Sequence, residues 1–374
     1  MKIPTVLALI FAGVFCTHCH YVHKDSFEDS PKTRKFTIQE FDNYKILEIV
    51  DPWQNAHNED FRYILSDDFA FVPDSLLKFT CIKTPVKSVV VFSTTHIGFL
   101  TALNESKSLV GASGASYIYN KDLKIRYKKG EIKEIGYPPS INYESIIELN
   151  PDVIFIYGLE SSVTGIISRL ETAGIPCVII GDYLENHPLG KAEWIRVFSA
   201  FYNKLNSADS IYKSIEKQYN ELSELVKDNQ LPQPSVMLGL PWKDSWYMAG
   251  GKSYAAKLIE DAGGHYLWSE TDETDYHPLS IESVIQKALY ADLWINPGSA
   301  RSLDDIISRD KRYGVFHSYK NHSLYNNDNR FDGNSNDYWE TGVIEPHIIL
   351  KDLIKIIHPQ ELPEYELVYY RRLL

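Results

Sequence analysis

Short apolar runs alternate with helix-like segments along the first half of the chain. The apolar runs at 89–92, 153–157 and 178–180 are continuous, as in parallel strands that are buried on both faces. Helix-like stretches at 97–103, 143–149 and 163–173 lie after or between them. The alternation of strand and helix predicts a parallel α/β sheet over about 86–205.

A long stretch at 191–230 contains neither glycine nor proline, and its apolar residues recur every three or four positions. This spacing is helical and predicts one helix to about Asn203 and a second from about Ser207 to Lys227. The second helix would be roughly 30 Å long. We take 206–230 as a helix that connects two lobes, and a surface helical hairpin remains the alternative.

A second α/β pattern follows the two prolines at 232 and 234. Strand-like runs at 236–240 and 293–295 alternate with helical segments at 254–262 and 281–288. The chain of 374 residues is longer than a single core usually supports. The sequence therefore predicts two Rossmann-like α/β lobes joined by a single long helix, with the second lobe and a C-terminal helix at 231–374.

The first 85 residues have a different pattern. Lys2 precedes an apolar run at 6–15, which predicts an export signal over 1–19 that is too short to span a bilayer. Cys16 is the candidate for lipidation, with Cys19 or a simply cleaved signal as alternatives. Residues 20–85 are expected to be a tether and an N-terminal extension, in which 44–50 and 61–65 alternate like a hairpin.

Charge and motifs exclude several functions. The formal net charge of −12 argues against a nucleic-acid partner, which requires a basic surface. Gly250-Gly251-Lys252-Ser253 looks like the end of a phosphate loop, but Trp246 occupies the position of its first glycine. We find no convincing catalytic pattern, so we predict a protein that is not an enzyme and has no cofactor. An extracytoplasmic α/β hydrolase is the less favoured alternative.

Ligands of open α/β sheets bind beyond the carboxyl ends of the strands. In the first lobe this rule, with the neighbouring loops, selects Thr94, Thr95, His96, Tyr117, Tyr137, Tyr157 and Tyr183. In the second lobe it selects Trp242, Trp246, Asn296, Arg301 and, from a late loop, Trp339. Many of these are aromatic and suit a large planar or lipophilic chelate.

Metal chemistry at these positions takes two forms. His96 lies at a strand-to-helix turn, where a neutral imidazole could bind a metal or a ligand carboxylate. Tyr117, Tyr157 or Tyr183 could supply a phenolate to haem iron. The sequence contains no cage for a bare metal ion, so we expect any metal to arrive inside its own organic ligand.

The two halves of the chain share a phrase, that is, a run of similar residues in the same order. Ile141-Asn-Tyr-Glu144-Ser-Ile-Ile is matched by Leu279-Ser-Ile-Glu282-Ser-Val-Ile, and each phrase continues to an aspartate, Asp152 or Asp292, before a buried strand. A glutamate at a helix start is also favoured by the helix dipole alone. The length of the match nevertheless points to two related lobes.

From about residue 86 onward the chain resembles the cobalamin and iron-siderophore type of ABC-transporter substrate-binding protein. The resemblance rests on Pro151-Asp-Val-Ile, on Gly174-Ile-Pro and on the long connecting helix. The segments Ser93-Thr-Thr-His-Ile-Gly-Phe-Leu, His187-Pro-Leu-Gly-Lys-Ala-Glu-Trp and Asn336-Asp-Tyr-Trp-Glu-Thr-Gly resemble a Bacteroidetes-like branch. The N-terminal extension and the Phe15 before Cys16 depart from the family pattern.

The resemblance implies a ligand in the cleft between the lobes and little closure on binding. It implies a periplasmic monomer that touches the membrane only through a lipid anchor and delivers its ligand to an ABC permease dimer in the inner membrane. By position, Glu144 and Glu282 match the glutamates that dock onto permease arginines. We expect an iron complex, siderophore or haem, because no residue marks a corrinoid site. Cobalamin or another corrinoid remains the alternative.

Overall fold

Three sheets of four or five strands organise the part of the chain that the structure describes. The structure is a computed structural model that describes residues 35–228 and 231–374, and the residues from 35 onward form one compact unit. The predictions for the signal peptide, for Cys16 and for the tether before residue 35 lie outside the described residues. Within them, no helix combines the length and apolar character that crossing a bilayer requires.

The first sheet belongs to the N-terminal extension. Its strands are β1 (Phe36–Glu40), β2 (Tyr44–Val50), β3 (Asp60–Ser66) and β4 (Thr80–Lys83), in that order across the sheet. The predicted hairpin is the antiparallel β2–β3 pair. The backbone N–H of Ile179 donates to the Tyr63 hydroxyl at 3.1 Å, and the Phe36 ring lies 5.1 Å from that of Trp194. The extension is therefore packed on the first lobe.

The first lobe is a parallel five-stranded sheet covered by helices. Its elements are β5 (Val89–Val91), α1 (Thr94–Ala102), β6 (Leu109–Ala112), α2 (Lys121–Lys128), β7 (Lys133–Glu134), α3 (Tyr143–Leu149), β8 (Val153–Ile156), α4 (Val163–Thr172) and β9 (Cys177–Ile179). The strand order is β7-β6-β5-β8-β9. Every side chain of β5, β8 and β9 is buried, which is why these strands read as continuous apolar runs.

Three helices lead from the first lobe to the second. They are α5 (Pro188–Glu193), α6 (Ile195–Ala200) and α7 (Leu205–Asp228). The segment predicted as one helix to about Asn203 is thus two short helices, and Asn203 ends it with φ of 56°. Helix α7 has 24 residues, about 36 Å, and begins at Leu205 rather than at the predicted Ser207. The backbone of Lys204 already accepts the first helical hydrogen bond.

The second lobe repeats the α/β arrangement. Its elements are β10 (Ser235–Leu238), β11 (Trp246–Ala249), α8 (Tyr254–Asp261), β12 (His265–Tyr266), β13 (Tyr276–Leu279), α9 (Ile281–Ala288), β14 (Leu293–Ile295), α10 (Leu303–Arg309), α11 (His317–Lys320), β15 (Leu324–Asn326), α12 (Pro346–Ile357) and β16 (Arg371–Arg372). The sheet order is β12-β10-β14-β15-β16, with only β16 antiparallel among these strands.

Two features of this lobe bear on the fold as a whole. Strands β11 and β13 form a separate antiparallel pair that the sequence did not predict. Helix α12 packs along α7. Two mainly parallel α/β sheets joined by α7 confirm the predicted fold class.

Candidate functional site

A cavity of about 290 Å³ lies where loops of the two lobes meet. Five aromatic side chains line it: Phe92, Tyr117, Tyr137, Tyr157 and Trp339. Five small polar side chains complete the wall: Ser93, Thr94, Ser113, Asn334 and Asn336. Phe92, Ser113 and Tyr157 directly follow the neighbouring strands β5, β6 and β8. The cavity therefore occupies the carboxyl edge of the first lobe's sheet, where open α/β sheets bind ligands.

Glu134 fixes the two loops that carry Tyr117 and Tyr137. Its carboxylate accepts hydrogen bonds from the backbone N–H of Gly114 (2.9 Å), Ala115 (2.7 Å) and Gly136 (2.9 Å). Gly114 has φ of 71°, and a Cβ at this position would lie 1.9 Å from the Tyr137 hydroxyl oxygen. A glycine is thus needed here both for the backbone conformation and for the close approach of Tyr137.

The opposite wall comes from residues 332–340, which we call the crossing segment. It follows β15 of the second lobe in the chain but contacts the first lobe. The Ser335 hydroxyl donates to the carbonyl oxygen of Ile118 at 2.8 Å, and Asp332 pairs with Lys124. The Thr95 hydroxyl donates to the Trp339 carbonyl oxygen at 3.3 Å. These bonds hold Trp339 over the cavity. Thr95 thus supports the position of Trp339 and does not itself line the cavity.

Glu340 anchors the end of the crossing segment. Its carboxylate accepts from the backbone N–H of Tyr119 (2.6 Å) and Asn120 (2.9 Å), just before α2, and the residue is 1% exposed. Burial raises the pKa of Glu340 to about 7, although the two N–H donors favour the charged form. The segment also lies so close to α1 that a Cβ on Gly98 would be 2.1 Å from the Glu340 carbonyl oxygen.

Five of the residues selected from the sequence line the cavity together: Thr94, Tyr117, Tyr137, Tyr157 and Trp339. The other five lining residues were not selected: Phe92, Ser93, Ser113, Asn334 and Asn336. Phe92 and Ser93 stand at a strand end that the sequence did predict, so the same rule could have included them. Ser113 follows β6, a short strand containing Gly111 that the apolar pattern did not show.

His96 is not at the cavity wall. It is 0% exposed inside α1, and its ring lies 5.5 Å from Phe198 and 6.5 Å from Tyr157. Burial lowers the pKa of its imidazole to about 4, with a smaller opposing effect from Asp182. The structure therefore places a neutral histidine behind Tyr157, where the sequence had suggested direct ligand contact.

Trp246 also lies in the core instead of the cleft. It is 0% exposed, its indole N–H donates to the carbonyl oxygen of Leu238 at 2.9 Å, and its ring is 5.7 Å from Trp294. The reason is the β11–β13 pair, which folds back over the sheet after β10. A tryptophan eight residues beyond the strand end is thereby carried inward.

The remaining selected residues lie outside the cavity lining. The Tyr183 hydroxyl donates to the Gly158 carbonyl oxygen at 2.7 Å, and burial raises the pKa of Tyr183 to about 12. Trp242 is 69% exposed. Asn296 is partly buried after β14, and the Arg301 guanidinium lies 3.7 Å from the centre of the Phe331 ring. A phenol with so high a pKa as that of Tyr183 is a poor source of phenolate.

The matching phrases of the two halves have matching structures. The Asp152 carboxylate accepts from the backbone N–H of Lys87 (2.6 Å) and Ser88 (2.9 Å), just before β5. The Asp292 carboxylate accepts from the backbone N–H of Ser235 at 2.7 Å, at the start of β10. In each lobe the aspartate thus holds the beginning of the neighbouring parallel strand.

Glu144 and Glu282 occupy corresponding places in these phrases. Each lies in the first turn of its helix, α3 or α9, and each is exposed. Glu282 pairs with Arg312 at 2.6 Å, and the two side chains are 73% and 49% exposed. Such an exposed ion pair stabilises the fold little, about 0–1 kcal/mol. Glu282 is therefore available at the surface, and so is the exposed Glu144.

A second, more open cavity of about 520 Å³ lies between the extension and the first lobe. It is lined by residues of the β2–β3 loop, 53–57 and 59, and by 159–161. Gln54 in this loop donates to the carboxylate of Asp275 of the second lobe at 3.2 Å. Across residues 35–228 and 231–374, no group of three or more His, Cys, Asp or Glu side chains is arranged to hold a metal ion.

Comparison with known proteins agrees with this architecture. The family model described as periplasmic binding protein matches residues 89–330. An uncharacterized lipoprotein of Methanocaldococcus jannaschii is 31% identical over 290 residues, which cover 75% of this chain and 67% of the relative. A second uncharacterized lipoprotein of that organism is 26% identical over 75% of this chain and 71% of its own length.

Solved structures share the fold at low sequence identity. The periplasmic heme-binding protein RhuT from Roseiflexus sp. RS-1 superposes with a TM-score of 0.57 at 17% identity, over 74% of this chain and 99% of that one. An ABC-type Fe3+-hydroxamate transport system from Saccharomonospora viridis gives 0.55 at 16% identity, over 73% and 94%. From the matched family model and the fold together, the chain belongs to the periplasmic binding protein family.

Proposed function

We propose that this protein is the substrate-binding component of an ABC importer and that it captures a metal chelate in the cavity between its lobes. The observation that carries the proposal is the cavity itself, which has five aromatic side chains and receives walls from both lobes. Aromatic surfaces bury a large area of a planar or lipophilic ligand at little cost in conformational entropy. Contacts from both lobes couple binding to their relative position.

The metal would enter as part of its own organic ligand. The described residues offer no cluster of protein ligands for a bare ion, and phenols such as Tyr137 and Tyr183 have pKa values raised by burial. We favour an iron complex, siderophore or haem, as the cargo. Two proteins whose structures share the fold are named for heme binding and for Fe3+-hydroxamate transport, respectively. A corrinoid is the alternative cargo for the same cavity.

Delivery would use Glu144 and Glu282 as docking residues for arginines of the permease dimer in the inner membrane. Their exposure and their equivalent positions in the two lobes support this role. Because the Glu282–Arg312 pair is exposed, a permease arginine can replace Arg312 at small cost. Exposed charge pairs of this kind steer encounter and fix orientation more than they add affinity.

The protein would work as a monomer in the periplasm, held to the membrane by a lipid on Cys16. Two relatives named as lipoproteins support the anchor. Neither a cofactor nor a catalytic role is part of the proposal.

The experiment is to purify the protein from its native host and record its absorption spectrum with a metal analysis. A ferric siderophore or haem band with stoichiometric iron is the expected result. A corrinoid band without iron would replace the preferred cargo by the alternative. Turnover of model esters or phosphates by the purified protein would contradict the proposal as a whole.

A further inference from the structure

The cavity wall carries no formal charge. Every lining residue among those the structure describes is aromatic, a hydroxyl residue or an asparagine. Ferric catecholates and haem carry negative charges, which a binding site normally neutralises with arginine or lysine. The cargo of this site therefore has to be recognised without a cation in the wall.

Two cations next to the crossing segment are paired with carboxylates, and a third, Arg301, lies over the ring of Phe331. Lys124 forms an ion pair with Asp332, and Arg330 pairs with Asp337 at 2.9 Å. Each pair lies at or next to the crossing segment, so its positive charge is balanced by a carboxylate of that segment, Asp332 or Asp337. A ligand anion would have to compete with these carboxylates for either cation.

Negative charge lies behind the wall that Tyr117 and Tyr137 form. Glu134 supports the loops of Tyr117 and Tyr137, and its carboxylate is held by three backbone N–H groups. Its charge adds to the effect of burial in raising the pKa of Tyr137, so it acts on the groups that face the cavity. An anion that loses its water in the cavity without gaining a countercharge pays a desolvation cost, and the charge of Glu134 adds repulsion to that cost.

The wall instead offers neutral hydrogen-bonding groups. Ser113 is 2% exposed, lines the cavity, and its hydroxyl has no hydrogen-bond partner among the described residues. A buried hydroxyl without a partner is unfavourable, unless a ligand supplies the missing acceptor. Carbonyl oxygens of hydroxamates or of amide side chains are acceptors of this kind.

We infer that the cargo is an electrically neutral metal chelate whose rim carries carbonyl oxygens, one of which accepts a hydrogen bond from Ser113. The inference rests on the proposed function and narrows it: anionic catecholates and haem are disfavoured. A neutral ferric trihydroxamate and a neutral corrinoid with amide side chains share this chemistry.

The test measures dissociation constants of the purified mature protein for four probes: a neutral ferric trihydroxamate, cyanocobalamin, a ferric tricatecholate and haem. At least one neutral probe should bind about 100-fold more tightly than either anion, since an uncompensated buried charge costs several kcal/mol. The two neutral probes distinguish the siderophore from the corrinoid. Tighter binding of an anionic probe would overturn the inference and leave the proposed function standing. Binding of none of the four would contradict the proposed function itself.

Two variants test the residues. Ser113→Ala should weaken the preferred neutral probe about fivefold to tenfold, as expected for one hydrogen bond. It should not lower the melting temperature, because the hydroxyl makes no hydrogen bond to another described residue. Asn334→Lys, at an exposed position of the cavity mouth, should shift the ratio of anion to neutral affinity about tenfold towards anions. Asn206→Lys on α7 adds the same charge at an exposed site and should not shift that ratio. Unchanged affinity in Ser113→Ala, or equal shifts in the two lysine variants, would overturn the inference.

Discussion

Glu340 makes the stability of the inter-lobe contact depend on pH. Burial raises the pKa of its carboxyl from the ordinary 4.5 to about 7. The folded protein therefore holds this proton more tightly than the unfolded chain, so protonation favours folding. The stabilisation is fully present below about pH 4.5 and is lost as the pH rises to about 7. At about 1.36 kcal/mol per pKa unit, the loss amounts to about 3 kcal/mol.

The variant Glu340→Gln removes this titration. Its amide keeps an acceptor for one of the two backbone N–H groups, of Tyr119 and Asn120, and any loss at the other is the same at every pH. The assay is denaturant unfolding of both proteins from pH 4.5 to 8. The free energy of unfolding of the unsubstituted protein should fall by about 3 kcal/mol relative to the variant across this range.

Other titrating groups act equally in both proteins and cancel from the difference. Glu148→Gln, at an exposed position on α3, serves as the control and should follow the unsubstituted protein at every pH. Parallel stability curves for the unsubstituted protein and Glu340→Gln would refute the reasoning. So would a difference that grows towards acidic pH in favour of the variant.

Two further sets of variants probe the packing of the lobes and the docking surface. Gly98→Ala puts a Cβ 2.1 Å from the Glu340 carbonyl oxygen. It should lower the melting temperature and weaken chelate binding, since overpacking costs about 1–3 kcal/mol. The control is Gly165→Ala, a helical glycine with no atom within 4 Å of the new Cβ, which should be neutral or stabilising by up to about 1 kcal/mol. Equal changes of melting temperature in calorimetry and of affinity in ligand titration for the two glycine variants would contradict the close contact at Gly98. The double reversal Glu144→Arg and Glu282→Arg should abolish uptake by cells while leaving the dissociation constant unchanged, and a weakened dissociation constant would remove both residues from the docking role.

Three of the parallel strands could be predicted because strands buried on both faces appear in the sequence as continuous apolar runs. Strands β5, β8 and β9 are buried on both faces and consist of apolar residues only. Strands β6 and β7 could not be predicted in the same way. β6 contains a glycine among four residues, and β7 is two exposed charged residues at the sheet edge. Their place in the sheet depends on pairing with distant neighbours, which no local pattern shows.

The candidate site divides in the same manner. Thr94 and Tyr157 follow strands that the apolar pattern identified, so the carboxyl-edge rule found them. The crossing segment reaches the first lobe through contacts between residues about 220 positions apart, such as Glu340 with Asn120. Asn334 and Asn336 belong to a loop without periodicity, and their arrival at the cavity follows from this long-range contact alone.

The central claim is that the cavity between the lobes is where the chelate binds. It is tested most directly by comparing two exposed tryptophans. Trp339, 57% exposed, lines the cavity, and Trp242, 69% exposed, does not. Calorimetric titration with the chelate that co-purifies with the protein should show an increase of about tenfold in the dissociation constant for Trp339→Ala, or about 1.4 kcal/mol, and no change for Trp242→Ala. Weakening by Trp242→Ala with none by Trp339→Ala would contradict the account.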